Sequence, residues 1–137
     1  MRRVFRYALL GFSWLFLAAI VVQVYFAGLM LFGQEGGRDL HEATGWILGL
    51  VGALFLILPA LARAGGATVV LGVVLTVITY FQPYPTFARD TSPIIAALHP
   101  VNALLIFTLS VALIRRATVL VRIEHGAPAA ATASLSG

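Results

Sequence analysis

Apolar positions fall in four long blocks along this chain rather than in the short periodic stripes of a soluble helix or strand. Residues 7–34, 43–62, 64–88 and 91–114 contain no Asp, Glu, Lys or Arg. A helix rising 1.5 Å per residue needs about 20 apolar residues to cross the hydrocarbon of a bilayer, and each block is long enough. No water is available there to satisfy open backbone groups, so a spanning segment must close its own hydrogen bonds as a helix. The pattern predicts an all-α fold: four transmembrane helices in an up-down-up-down bundle, near 5–34, 38–63, 66–83 and 93–116. Residues 117–137 are expected to form a short helical extension and a flexible tail ending in APAAATASLSG.

The breaks are readable. Gly36-Gly37 separates the first two helices, and Gly65-Gly66 is expected to turn the second into the third. Residues 83–93, PYPTFARDTSP, form the longest loop. Ser92-Pro93 reads as an N-cap followed by proline at the first helical position. The N-terminus, MRRVFRY before an apolar run, imitates a signal peptide. The run is too long for that and lacks a small-residue cleavage site, so it reads as a retained membrane helix. No internal repeat is evident along the sequence, nor a broken helix at mid-membrane, which argues against a transporter.

Composition agrees. Of 137 residues, 61% are hydrophobic and 10% charged, against roughly 25% charged in a soluble domain. The net charge of +4 comes from nine arginines and no lysine. These sit beside hydrophobic ends, which is a topology signal rather than a nucleic-acid one. Arg2, Arg3, Arg6, Arg63, Arg115, Arg116 and Arg122 fall on one side, Arg38 and Arg89 on the other. The positive-inside rule then predicts both termini in the cytoplasm of a bacterial cell, with a multi-pass protein in its cytoplasmic membrane. Aromatic residues at Tyr80, Phe81, Tyr84, Phe87 and Trp46 suit the outer interface. Phe5, Tyr7 and Trp14 suit the inner one. With no cysteine there is no disulfide, thiolate site or covalent haem attachment.

Two histidines fall at the outer ends of the second and fourth helices: His41 in RDLHEATGW and His99 in AALHPVNAL. In such a bundle those helices are diagonal and their side chains can share a centre. Helix starts near Arg38 and Pro93 put the two imidazoles at depths differing by roughly one turn. Three readings stand side by side: axial ligation of a b-type haem by His41 and His99, hydrogen-bonded structural histidines, and a copper or zinc site with Glu42 or Asp39 as third ligand. Gly45, Gly49 and Gly52 lie on the face of His41. They either let a flat porphyrin approach or let helices pack closely. Pro100 removes an amide and is expected to kink the fourth helix, turning His99 inward. Asn102 is a candidate hydrogen-bond donor. Gln23, deep in the first helix, needs a partner: an imidazole, a haem edge or a quinone carbonyl. Arg38 and Arg89 either face haem propionates or pair with Glu35, Asp39 or Asp90 in the loops. His125 reads as a solvated tail residue.

Four helices with histidines at the outer ends of the second and fourth resemble one half of a haem A synthase, and in outline the small bis-histidine b-type membrane cytochromes. The likeness covers residues 1 to about 116, with His41 and His99 at the positions of the family's ligands. It implies haem binding. The Glu and Arg that flank the synthase histidine are replaced here by Arg38 and Glu42, and its cysteine pair is missing. QVYFAGLMLFG and LHPVNALLIF also resemble an uncharacterised family of small four-helix bacterial membrane proteins.

The function expected is electron transfer or haem handling, with the lipid bilayer, other membrane subunits and a quinone as partners. The alternative is a cofactor-free accessory subunit of a larger respiratory or photosynthetic membrane complex. Nucleic acid is not an expected partner. No Ser–His–Asp arrangement, carboxylate pair or phosphate loop marks an enzyme.

Overall fold

A computed structural model describes residues 1–126, and the expected tail, with His125, lies outside the described side chains. The chain is a four-helix bundle. Helix α1 spans Arg2–Leu31 and α2 Gly37–Gly52. A 3-10 turn, Ala53–Leu56, and the short α3, Leu58–Leu61, complete the second span. Helix α4 runs Gly66–Tyr80, followed by a 3-10 segment Tyr84–Ala88. The short α5, Pro93–Ala96, precedes α6, Leu98–Gly126. Four stretches are long and apolar enough to cross a membrane: Arg2–Leu31, Gly37–Leu61, Gly66–Ala88 and Pro93–Ile123.

Several ends differ from expectation. Helix α1 stops at Leu31, before Gly36-Gly37. Gly33, at φ 74°, takes the left-handed position after the helix, and the Gln34 amide donates to the Leu29 carbonyl at 2.9 Å. Gly37 is needed for another reason, since a Cβ there would lie 2.7 Å from the Met30 amide nitrogen. Pro93 does open α5, but the Ser92 side chain makes no cap hydrogen bond. The helical extension expected beyond residue 116 is present, with α6 running unbroken from Leu98 to Gly126.

Helix α1 packs on α2 and α6, and α4 packs on the same two, which sets α1 and α4 on one diagonal and α2 and α6 on the other. The core is thin: Leu9, Phe16, Phe55, Leu75 and Leu113 are buried, with the rings of Phe12, Phe16 and Phe55 in tilted and edge-to-face contact at centroid distances of 4.7–6.2 Å. Most other large apolar side chains face outward, as Leu15, Val24, Val70 and Leu104 do. In lipid that outward surface costs nothing, and close approach and hydrogen bonds hold the helices instead. Pro59 illustrates this. It has no amide to offer the Phe55 carbonyl four residues back. That carbonyl turns toward α4, where a Cβ on Gly72 would meet it at 2.5 Å. The Thr76 hydroxyl donates to the Gly52 carbonyl at 2.9 Å across the same seam.

The bundle contains an internal repeat that the sequence reading missed. Buried positions Leu9, Ser13, Phe16 and Ile20 of α1 recur 59 residues on as Thr68, Gly72, Leu75 and Thr79 of α4, all buried. Gly52, Phe55 and Pro59 of the second span recur 58 residues on as Ser110, Leu113 and Ala117 of α6, again all buried. The two hairpins are parallel copies around an axis along the bundle. Their apolar residues have diverged, so only the pattern of burial shows the repeat.

Candidate functional site

His41 is in the first turns of α2 and His99 is the second residue of α6. The break at Ala97, just before Pro100, sets α6 apart from α5 and cancels the one-turn depth mismatch expected from a single helix starting at Pro93. The two rings are neighbours across the bundle, centroids 6.0 Å apart and planes at 73°.

Each histidine is held by a glutamine in the same hairpin. Gln23 Nε2 donates to the His41 carbonyl at 2.8 Å, and His41 Nδ1 lies 3.2 Å from the Gln23 carbonyl. Gln82 Nε2 donates to the His99 carbonyl at 2.9 Å, and His99 Nδ1 lies 2.8 Å from the Gln82 carbonyl. The third member of each clasp is also repeated. The Thr44 hydroxyl donates to Gln23 Oε1 at 2.8 Å, while Asn102, the matching residue, donates to Gln82 Oε1 and to the Ile78 carbonyl at 3.1 Å. A carbonyl can only accept, so both Nδ1 atoms carry the proton. In the tautomer that these contacts select, Nε2 is the nitrogen without the proton, and neither Nε2 has a hydrogen-bond partner among the described residues.

Gln82 and Thr44 were not singled out from sequence. The available signal was spacing: Gln23 precedes His41 by 18 residues and Gln82 precedes His99 by 17. Gln23, for which an imidazole, a haem edge or a quinone carbonyl was expected as partner, is bonded to His41 through the backbone of each: its amide donates to the His41 carbonyl, and its own carbonyl accepts from the ring.

The glycines face neighbouring helices. A Cβ on Gly45 would lie 2.6 Å from Gln23 Nε2, one on Gly52 3.3 Å from the Phe16 ring, and one on Gly49 3.8 Å from the Thr79 carbonyl. Their contacts are those of close helix packing, the second of the two readings. Arg38 pairs with Glu42 at 3.4 Å and Arg89 with Asp90 at 3.6 Å, both exposed. Among the described residues no group of three His, Cys, Asp or Glu converges, which leaves a zinc or copper ion without the third protein ligand expected from Glu42 or Asp39.

Beside the first clasp, a groove between α1 and α2 is lined by Ala19, Val22, Gln23, Thr44, Leu48 and Val51. In the second hairpin Ile78 and Phe81 stand where Ala19 and Val22 stand in the first. At the opposite end of the bundle, Arg6 reaches inward to the carbonyls of Ala62 and Leu120. No family profile, curated protein or solved structure matches this chain.

Proposed function

We propose that the protein is a small membrane cytochrome in which His41 and His99 are the axial ligands of one b-type haem. The observation that carries this reading is the matched preparation of the two imidazoles. Each is anchored through Nδ1–H to a backbone carbonyl, which fixes the tautomer, orients the ring and leaves Nε2 basic, as ligand histidines require. The ring centroids lie 6.0 Å apart, near enough for both imidazoles to serve one metal centre. The donor set fits. The two rings are in contact with each other, so accommodating a porphyrin requires the side chains at this end to part.

Arg38 and Arg89 are the cations on the histidine side, held only by exposed ion pairs that propionates can replace. Bound there, haem supplies one-electron transfer. The groove beside Gln23 and Thr44 suits a membrane quinone as redox partner. The arginine distribution supports a histidine end facing away from the cytoplasm. An absorption spectrum of the detergent-purified chain tests the reading. A Soret band lost in His41→Ala and in His99→Ala is expected. No band after haem reconstitution overturns it.

A second reading has its own support. The reciprocal Gln–His bonds already lock each hairpin, so the clasps also suit a cofactor-free accessory subunit. Native mass spectrometry distinguishes this case by a retained protein partner and no haem mass.

A further inference from the structure

We infer that the haem-free chain binds a single copper(I) ion through Nε2 of His41 and Nε2 of His99. Both histidines are half-buried, and their ring centroids lie 6.0 Å apart, close enough for one ion to reach both. A porphyrin has to part the side chains at this end, whereas a bare ion asks only that the rings turn on their clasps. Each Nδ1 lies against a glutamine carbonyl, at 3.2 Å for His41 and 2.8 Å for His99. Those contacts leave Nε2 as the donor nitrogen and fix where it points, as the outer partner of a ligand histidine does. This inference does not rest on the haem reading. Haem and copper take the same two nitrogens, so haem loading displaces the ion.

The donor set selects the ion. Among the described residues no third His, Cys, Asp or Glu converges on the pair. Two nitrogens are too few for zinc, which takes a tetrahedral set, and for copper(II), which prefers a tetragonal one. Copper(I) forms stable complexes with just two imidazoles in line. A linear complex also leaves the angle between the ring planes free, so the 73° here is no obstacle. Charge points the same way. Glu35, Asp39, Glu42 and Asp90 are all exposed, and Glu42 and Asp90 already face Arg38 and Arg89. A cation entering between the rings therefore meets no described counter-charge. Desolvating a charge without a partner is costly, and the cost grows with the square of the charge, so a monovalent ion is favoured over a divalent one.

The experiment uses the full, haem-free chain in detergent, loaded with copper(I) under ascorbate and then competed with the chelator bicinchoninate. One copper retained per chain is expected, with X-ray absorption fine structure of two nitrogen donors and no sulfur. Copper should raise the melting temperature, and oxidation to copper(II) should release the ion. His41→Ala and His99→Ala are each expected to lose both the retained copper and the thermal shift. His125→Ala, which removes the remaining histidine of the sequence, should keep both. Gln82→Ala leaves both imidazoles in place and should weaken copper(I) binding about 10- to 100-fold, as loss of an outer partner does. The absorption measurement on the wild type decides the case even if a histidine variant fails to fold. The inference is overturned if the chelator strips the copper, if the fine structure shows sulfur or more than two near donors, if zinc(II) is held as tightly, or if His125→Ala loses as much. Copper retained by a chain that takes up no haem sinks the haem reading alone. A Soret band on reconstitution, with no copper held beforehand, sinks this inference alone.

Discussion

Ala62 and Leu120 occupy equivalent places in the two hairpins, and their carbonyls share one donor. Arg6 sends Nε to Ala62 at 3.3 Å and a terminal nitrogen to Leu120 at 3.2 Å. Its half-buried guanidinium thus sits between the diagonal spans α2–α3 and α6, as the imidazole pair does at the far end. A planar fork can serve two acceptors, and an ammonium on a flexible stem serves them less well. Arg6→Gln should cost about 1.5–3 kcal/mol, the range for a hydrogen bond to a charged group, and Arg6→Lys should recover only part. Reversible unfolding in mixed micelles measures both.

Gly72 is where the freed Phe55 carbonyl lands. Gly72→Ala puts a methyl within 2.5 Å of a backbone oxygen that cannot swing away. A loss of about 1–3 kcal/mol is expected from overpacking. Gly66→Ala, with nothing within 4 Å of its Cβ, is the contrast and should be neutral or mildly stabilising. Paired melting curves decide.

The two clasps should matter equally. Gln23→Ala and Gln82→Ala each remove the amide that positions a histidine while leaving the carbonyl that accepts its Nδ1 proton. Each should weaken haem binding about 10- to 100-fold, as loss of a ligand's outer-shell partner does. Titration at the Soret wavelength reads the change.

Gly45→Ala separates stability from binding. Its methyl would crowd only the far end of the Gln23 side chain, which can move, so little folding energy is lost. That movement pulls the amide off the His41 carbonyl, and haem affinity should fall as it does in Gln23→Ala. Gly49→Ala makes ordinary contacts at 3.8 Å and should leave both quantities near wild type.

Uninterrupted apolar blocks and paired Gly or Pro punctuation carried the fold in the sequence, because a bilayer allows a long apolar segment little besides a helix. His99 stood out as an ionisable group inside a charge-free block, and His41 by its place at the mouth of another, just after Arg38 and Asp39. Helix ends were less legible: one glycine looks like another until its φ is known, and Gly33 rather than Gly36 terminates α1. The repeat was hidden because Phe16 against Leu75, or Pro59 against Ala117, shares burial and not identity. Gln82 was overlooked with it, since a glutamine next to Pro83 reads as loop until its hairpin is seen as a copy of the first.

Each Gln–His clasp closes within one hairpin, across 18 residues in the first and 17 in the second. Short loops close at low entropic cost, so each hairpin can complete its clasp soon after its two spans enter the membrane. The ring pair, the Thr76 bond to Gly52 and the Arg6 bond to Leu120 join one hairpin to the other. A chain divided between Gly65 and Gly66 and expressed as two fragments should accordingly reassemble, which co-purification of the halves would show. The peptide link between the hairpins then serves mainly to deliver the two in equal number.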